Sequence, residues 1–354
     1  MAKITLENLA HSYDGKINAV EDINITFENK TTNAMLGPSG CGKTTLLKII
    51  TGLLSPTQGK VYFNDQDVTQ LPPEKRNVAI VFQFPVVYSM SVEENLMFPL
   101  INLKIPKEEK RRKVQDVAES LGLESIIKEN APRLGPADRQ KVSIGRVLVR
   151  EPSVFLFDEP LSSIEPEKRT GLKTQIKRIQ EKLGQTTIYV THDQTEALTF
   201  AKNVAIMDKG KIAQFDTVEN IYANPNTVFV GFFIGSPGMN ILEGHNKGDK
   251  IDLKDFSLKA PSGVKIPAAV TTMKIGVRPE HVEVSDKAKP AWHPFTVEAY
   301  EDLGKGFGIL HITTNSHKIR ARTTIPFSPG EKAWINFTPG RIHLFDDQGQ
   351  RIPS

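Results

Sequence analysis

The amino-acid sequence predicts an α/β domain followed by an all-β domain. From Thr32 onward, short apolar runs alternate with long amphipathic stretches, which is typical of buried parallel strands joined by crossover helices. Beyond about Phe233, glycine and proline instead separate short β-prone segments, which favours a small β-barrel. A chain of 354 residues is long enough for two domains of about 150 residues each.

Strands are predicted first at the start of the chain, where residues 4–6 and 23–27 alternate in polarity around a turn signal at 13–15. These strands are expected to be antiparallel. Buried parallel strands are predicted next, at the apolar runs 32–36, 78–82, 154–157, 187–190 and 204–207.

Three helices are predicted between the second and third of these runs. A capping box at 91–94 opens the first, Pro106 opens a second that ends near Leu121, and residues 137–149 have apolar side chains at helical spacing. In the C-terminal part, the segments 274–277, 308–312 and 333–337 predict strands of the barrel. We place the boundary between the two domains near residues 235–238.

Composition excludes several classes of protein. Lys and Arg number 45 against 41 Asp and Glu, and the basic run 110–113 lies among acids, so we expect a solvated helix face and no nucleic-acid partner. No stretch approaches the ~20 apolar residues that cross a bilayer, and Lys3 and Glu7 interrupt any secretory signal. We therefore expect a cytoplasmic protein that reaches a membrane only through a partner. A single cysteine, Cys41, agrees with a reducing compartment.

A phosphate-binding loop of the P-loop type lies between the run 32–36 and a helical segment that begins at Lys43. Its glycines allow backbone N–H groups to surround a β-phosphate, Lys43 spans the β- and γ-phosphates, and the Thr44 hydroxyl suits Mg²⁺. The sequence thus predicts ATP and Mg²⁺ as ligands. The predicted ATP contacts in this segment are Gly37, Pro38, Ser39, Gly40, Cys41, Gly42, Lys43, Thr44 and Thr45.

Two adjacent acids end the apolar run 154–157. Asp158 is expected to hold Mg²⁺, and Glu159 is expected to polarise the attacking water, which indicates hydrolysis rather than transfer to a substrate. His192, at the end of the run 187–190, and Gln83, after the run 78–82, are further candidates for catalysis, and Gln83 also for the metal. Tyr13 offers an aromatic face for adenine, although a tyrosine in a strand is more often a core residue.

These residues resemble the motifs of ATP-binding subunits of ABC transporters. In chain order they match the Walker A loop, the Q-loop, the signature, the Walker B and D-loop, and the switch histidine, at residues 37–44, 83, 134–140, 158–162 and 191–194. The segments 233–240, 276–281 and 343–345 resemble the C-terminal regulatory (TOBE, OB-like) domain of maltose-type importers. The resemblance covers essentially the whole chain.

The resemblance implies an ABC ATPase domain at 1–234, with a helical subdomain at about 84–150, and a TOBE domain at 235–354. It also implies ATP hydrolysis that energises the import of a sugar, glycerol or another polyol, or a glycerol phosphate. The implied partners are a second ATPase subunit, two transmembrane permease subunits and, indirectly, a solute-binding protein. The implied location is the cytoplasmic face of the inner membrane.

The signature departs from the family pattern L-S-G-G-Q, which in this family clamps the ATP held by the partner subunit. Here it reads Leu134, Gly135, Pro136, Ala137 and Asp138. The serine hydroxyl and one backbone N–H donor are absent, and a negative charge is added. We therefore expect a heterodimer with one consensus and one degenerate ATP site, as in glycerol-type importers. A homodimeric sugar importer, a soluble ABC ATPase without a transport role and a switch that binds ATP without hydrolysis are the alternatives.

Overall fold

The computed structural model describes residues 2–261, 264, 266–267, 270–304, 306–338 and 340–353. The chain divides into two units, one ending at Val218 and the other beginning at Glu219. The helices are α1 Lys43–Thr51, α2 Val92–Met97, α3 Lys107–Leu121, α4 Pro136–Leu148, α5 Pro166–Leu183, α6 Gln194–Phe200, α7 Val218–Ala223 and α8 Val228–Phe233. No helix among these residues is long and apolar enough to span a membrane.

The strands of the first unit are β1 Ile4–Ser12, β2 Asn18–Phe27, β3 Thr32–Leu36, β4 Gln58–Phe63, β5 Gln66–Asp67, β6 Val78–Val81, β7 Val154–Asp158, β8 Thr186–Thr191, β9 Asn203–Asp208 and β10 Lys211–Thr217. Those of the second are β11 Asn240–Asn246, β12 Lys250–Asp252, β13 Ser257–Lys259, β14 Thr272–Val277, β15 Val282–Ser285, β16 His293–Asp302, β17 Gly308–Thr313, β18 Lys318–Thr323, β19 Lys332–Phe337 and β20 Ile342–Phe345.

Two sheets form the first unit. A four-stranded antiparallel sheet has the order β2-β1-β4-β5, as the alternation at the start of the chain predicts. The second sheet has the order β10-β9-β3-β8-β7-β6, and its strands are parallel except for the edge strand β10. Every residue of β7 and β8 is buried, because one face of these strands packs on α1 and the antiparallel sheet and the other face packs on helices α2 to α5. The carboxyl ends of β3, β7 and β8 therefore lie side by side.

The helical signals in the sequence are confirmed. The Ser91 side chain accepts from the backbone N–H of Glu94, whose carboxylate in turn accepts from the backbone N–H of Ser91, and α2 follows this capping box. Helix α3 ends at Gly122, whose left-handed conformation lets its N–H reach the last carbonyls. Helices α2 to α5 pack their apolar faces on one core together with β7 and β8.

The second unit contains two five-stranded antiparallel sheets, with orders β13-β12-β11-β14-β20 and β15-β19-β16-β17-β18. They form a nearly closed barrel around one apolar core, in agreement with the predicted OB-like domain. The structure begins this unit at Glu219, earlier than the predicted boundary at 234/235. Buried Arg278 accounts for the difference, because its guanidinium donates to backbone carbonyls of Tyr222, Gly231 and Ile234 and thereby ties α7 and α8 to the barrel.

Candidate active site

The loop between β3 and α1 closes around a buried lysine. Lys43 Nζ donates to the carbonyl oxygens of Gly37, at 2.8 Å, and Pro38, at 2.9 Å. Helix α1 begins at the same residue, and its buried face, which includes Leu46 and Ile50, fixes the helix on the sheet. The lysine ammonium and the positive end of the helix therefore share one small region, which is the arrangement that binds phosphate groups.

Glycine is required at two positions of this loop. Gly42 has φ +103°, and a Cβ atom there would lie 2.5 Å from the carbonyl oxygen of Ala19. A Cβ atom at Gly37 would lie 2.4 Å from the carbonyl oxygen of Met207. Both distances are far below van der Waals contact, so the loop can pass this close to its neighbours only without side chains.

Thr44 and Asp158 bring two oxygen groups together beside the loop. The Thr44 hydroxyl donates to Asp158 Oδ1 at 3.1 Å, and Asp158 is the buried last residue of β7. Burial raises the pKa of the Asp158 carboxyl above its ordinary value, and the hydrogen bond from Thr44 acts in the opposite direction. A buried carboxylate next to a hydroxyl is a ligand set that suits Mg²⁺.

Glu159 and His192 meet at the carboxyl ends of β7 and β8. His192 Nδ1 lies 2.9 Å from Glu159 Oε2. The backbone of Glu159 has φ +47°, and it is held there because its N–H donates to Val190 and its carbonyl accepts from Ser162 Oγ. A non-glycine residue in this conformation is strained, and such strain is most often found where a side chain must be aimed.

Of the two remaining candidates, Tyr13 lies next to α1, whereas the Gln83 side chain makes no hydrogen bond to the proposed metal ligands among the described residues. The Gln83 side chain is exposed and has no hydrogen bond to Thr44 or Asp158 among the described residues, whereas its backbone carbonyl accepts from Ser163 Oγ at 3.3 Å. The Tyr13 ring is 64% exposed, and its hydroxyl lies 3.2 Å from Thr45 Oγ1. Tyr13 is thus an exposed ring next to the first turn of α1, in a perpendicular contact with the His11 ring at 4.7 Å between centroids, and is not a core residue.

The signature residues 134–138 form the start of α4. Gly135 is the N-cap residue in extended conformation, Pro136 occupies the first helical position, and Asp138 pairs with Lys141 at 3.1 Å. Proline is favoured at this position because its missing N–H would have no partner inside the helix. No hydrogen bond or ion pair joins residues 134–138 to the loop 37–44 in the part of the chain that the structure describes.

The sequence did not indicate that two residues, one of them at the end of the signature segment 134–140, connect α4 to the segment after β6. Gln140 is fully buried, and its Nε2 donates to the carbonyl of Phe82 at 3.3 Å. Arg146 donates to the carbonyl of Val86 at 2.6 Å and stacks on the Tyr88 ring at 4.1 Å. A polar residue on the apolar face of a predicted helix was the available signal for Gln140.

Comparison with known proteins agrees with this geometry. Residues 20–162 match the sequence family described as ABC transporter, and residues 275–345 match the TOBE domain. The chain is 36% identical over 359 residues to the sn-glycerol-3-phosphate import ATP-binding protein UgpC of Escherichia coli (strain K12), covering 99% of this chain and all of the relative. It is also 36% identical to UgpC of Psychromonas ingrahamii over 363 residues, covering 98% and 94%.

Solved structures of ATP-binding cassettes share the fold of the first unit. The cbiO1 protein of Clostridium perfringens, part of the ABC transporter complex cbiONQ, has a TM-score of 0.59 at 27% identity, covering 62% of this chain and 90% of the other. The cassette MJ0796, a dimer bound to ADP and Pi after hydrolysis, has a TM-score of 0.55 at 26% identity, covering 61% and 98%.

The fold and the site therefore define an ATPase of the ABC class. The TOBE unit and the similarity along the whole chain narrow this class further. The chain belongs to the family of ATP-binding subunits of carbohydrate and polyol ABC importers.

Proposed function

We propose that this subunit drives the import of a glycerol phosphate or a closely related polyol or sugar. The support for the cargo is the similarity over nearly the whole chain to UgpC proteins, whose name states glycerol-3-phosphate import. Maltose-like sugars and glycerol are the other candidates. The subunit works at the cytoplasmic face of the membrane, bound to two permease subunits that receive cargo from a solute-binding protein.

Glu159 is the general base of the proposed hydrolysis. The observation that carries this role is its contact with His192, 2.9 Å away, beside the pair formed by Thr44 and Asp158. His192 holds the carboxylate in one orientation, so that Glu159 accepts the proton of the attacking water. Lys43 contacts the β- and γ-phosphates, and Tyr13 stacks on the adenine ring.

Mg²⁺ fits the residues present. Thr44 and Asp158 would hold it, since a hydroxyl and a buried carboxylate are the oxygen ligands that this ion prefers. When bound, the ion supplies neutralisation of the charge that develops on the phosphoryl oxygens. Its positive charge would also offset the cost of burying the negative charge of Asp158. Gln83 joins this set only after its exposed side chain rotates toward Asp158.

The permease is proposed to dock on an apolar groove of the first unit. The groove has a volume of about 370 Å³ and lies between the segment after β6 and helix α4. Phe82, Val86 and Phe98 line it and are exposed, and Arg146 fixes one wall through its contact with the Val86 carbonyl. Exposed aromatic residues around a groove favour the binding of an amphipathic helix from a partner.

The second ATPase subunit is proposed to differ from this chain. A proline at the first position of α4 and a glycine before it leave the signature without the serine hydroxyl and one N–H donor. Each lost hydrogen bond to a charged group costs about 1.5–3 kcal/mol. The ATP that faces this signature is therefore poorly clamped, whereas the loop, Asp158, Glu159 and His192 of this chain are complete and need a consensus signature from the partner.

The test is to measure the ATPase activity of this chain alone, of a second ABC ATPase subunit with a consensus signature, and of the two together. We expect little activity from the lone chain and high activity from the mixture. Lys43→Ala in this chain should abolish most of the activity of the mixture, because it removes the consensus site. High activity from the lone chain would favour a homodimer instead.

A further inference from the structure

A cavity of about 450 Å³ lies inside the C-terminal unit. Every residue that lines it belongs to the range 222–351, so it shares no residue with the ATP site. Its walls come from the end of α7, residues 261 and 264 after β13, the turn after β14, the start of β20 with the two residues before it, and Arg351. A cavity of this size accommodates a small metabolite.

Positive charge dominates the lining. Of the lining residues that the structure describes, three are arginines, Arg278, Arg341 and Arg351, and one is an acid, Glu280. Among the residues that the structure describes, none of the three guanidinium groups has a carboxylate within 4.0 Å. The Glu280 carboxylate instead accepts from the Tyr222 hydroxyl. The cavity therefore holds a net positive charge that no side chain of the described residues neutralises.

The deepest of these groups is nearly inaccessible to solvent. Arg278 is 1% exposed, and its two terminal nitrogens donate to backbone carbonyls, but its Nε is buried without a hydrogen-bond partner in the described part of the chain. Its guanidinium also stacks on the Tyr222 ring at 3.9 Å. A buried cation of this kind is costly unless an anion approaches it.

Two histidines complete the lining. The Nδ1 atom of His281 is buried and has no hydrogen-bond partner among the described residues. Burial, together with the charges of Arg351 and Arg278, lowers the pKa of His343 to about 4. The lowered pKa of His343 shows that this region disfavours a further positive charge, and an anion would reverse that preference.

We propose that this cavity binds a small phosphate-bearing anion. Arg341 is exposed at the mouth and Arg351 is half-buried, with one Nη donating to Asn224 Oδ1 at 3.1 Å, so both can direct further N–H groups at a phosphate. Planar guanidinium groups bind phosphate oxygens in pairs, which a lysine cannot do. Arg278 supplies long-range attraction, and the histidines supply neutral N–H donors.

Calorimetric titration of the full chain, saturated with Mg-ADP, tests this assignment. The probes are inorganic phosphate and glycerol 3-phosphate, with glycerol as the uncharged comparison. We expect both anions to bind and glycerol not to bind. Arg341→Gln and Arg351→Gln should each weaken anion binding at least tenfold. Lys332→Gln, which removes an exposed cation of β19 outside the cavity, should leave it unchanged.

The results of these titrations distinguish free phosphate, a phosphorylated metabolite and binding at the phosphate loop. Tighter binding of inorganic phosphate identifies free phosphate as the ligand, and tighter binding of the ester identifies a phosphorylated metabolite. Anion binding that is the same in both arginine variants as in the wild type would assign it to the phosphate loop and overturn the proposal, as would no binding at all. Trp292 and Trp334, the only two tryptophans, both lie in this unit, so their fluorescence checks that the variants are folded. ADP affinity measured on the same samples tests the ATP site separately.

Discussion

Glu159 Oε2 and His192 Nδ1 lie 2.9 Å apart, at the ends of two adjacent parallel strands. The register of these strands places Asp158 opposite Val190, so the residue after each strand projects from the same edge of the sheet. The strained backbone of Glu159 then turns its carboxylate toward the histidine. Two residues that are 33 positions apart in sequence thus form one chemical unit.

Replacement of the glutamate should separate ATP binding from hydrolysis. Glu159→Gln keeps the size of the side chain and removes its ability to accept a proton, so turnover should fall about 10²- to 10⁴-fold while ATP affinity is retained. Single-turnover hydrolysis and nucleotide titration of the assembled subunit pair measure the two effects. Glu181→Gln, on the exposed face of α5, is the matched control. Unchanged turnover in Glu159→Gln would remove this residue from the role of base.

Replacement by alanine should lower ATP affinity at one glycine of the first unit and raise the stability of the unit at another. Gly42→Ala places a Cβ atom 2.5 Å from the Ala19 carbonyl in a left-handed conformation, so the loop must move and ATP affinity should fall at least tenfold. Gly171→Ala lies inside α5, where the new atom has no neighbour within 4 Å among the described residues, and it should stabilise the unit by about 0.5–1 kcal/mol. Nucleotide titration and thermal unfolding measure the pair.

An equal loss of ATP affinity in both glycine variants would show that the close contact at Gly42 does not decide binding. A Gly42→Ala protein that binds ATP normally would contradict the geometry of the loop directly. Because the two substitutions add the same methyl group, any general effect of side-chain volume cancels in the comparison.

Local signals in the sequence predicted much of this structure. The phosphate loop and the helix beginnings depend on neighbours within a few residues, and the capping box at Ser91 and the start of α3 are found where the sequence indicates them. The existence of the strands that end in Asp158 and Thr191 also follows from apolar runs. The exposure of the Gln83 side chain does not follow from the sequence, because a single polar residue after a strand gives no periodic pattern.

Contacts between distant segments could not be predicted in this way. The start of the second unit depends on Arg278, which binds carbonyl groups 44 to 56 residues earlier in the chain. The basic cavity likewise combines α7, the turn after β14 and the segment at Arg351, and none of these is basic enough by itself to attract notice. Burial of an arginine gives no periodic signal, so only the folded chain reveals it.

Repair of the signature should increase the activity of the subunit pair. A Cβ atom at Gly135 meets no atom of the part of the chain that the structure describes within 4 Å, and the backbone there is extended, so Gly135→Ser fits without strain. Combined with Pro136→Gly, it restores one hydroxyl and one N–H donor. If the second site then hydrolyses ATP, the turnover of the pair should rise by up to about twofold, because two sites work in place of one.

Gly135→Ala with Pro136→Gly is the control for this repair, since it adds the carbon atom without the hydroxyl. Steady-state ATPase assays of the three pairs measure the effect. If the serine and alanine versions have equal activity, the hydroxyl is not what the degenerate site lacks. If neither differs from the wild type, the signature of this chain does not limit turnover.

Acid should destabilise the C-terminal unit through His343. In the folded protein its pKa is lowered from 6.5 to about 4, so at pH values between these the unfolded chain binds a proton that the folded chain does not. The stabilisation is therefore complete above pH 6.5 and is lost as the pH falls toward 4. Allowing for partial exposure, the loss is on the order of 2 kcal/mol. His343→Gln should flatten this part of the pH profile.

Tryptophan fluorescence during urea unfolding, in buffers without phosphate, reports on this unit alone. Exposed His245→Gln is the matched control and should keep the wild-type slope between pH 4 and 6.5. Buried carboxyl groups and the remaining histidines contribute equally to the pH dependence of stability in the wild type and in both variants. The difference between the two variants therefore isolates the effect of His343. A wild-type slope in His343→Gln would mean that the burial of this imidazole and its cationic surroundings do not make stability depend on pH in this range.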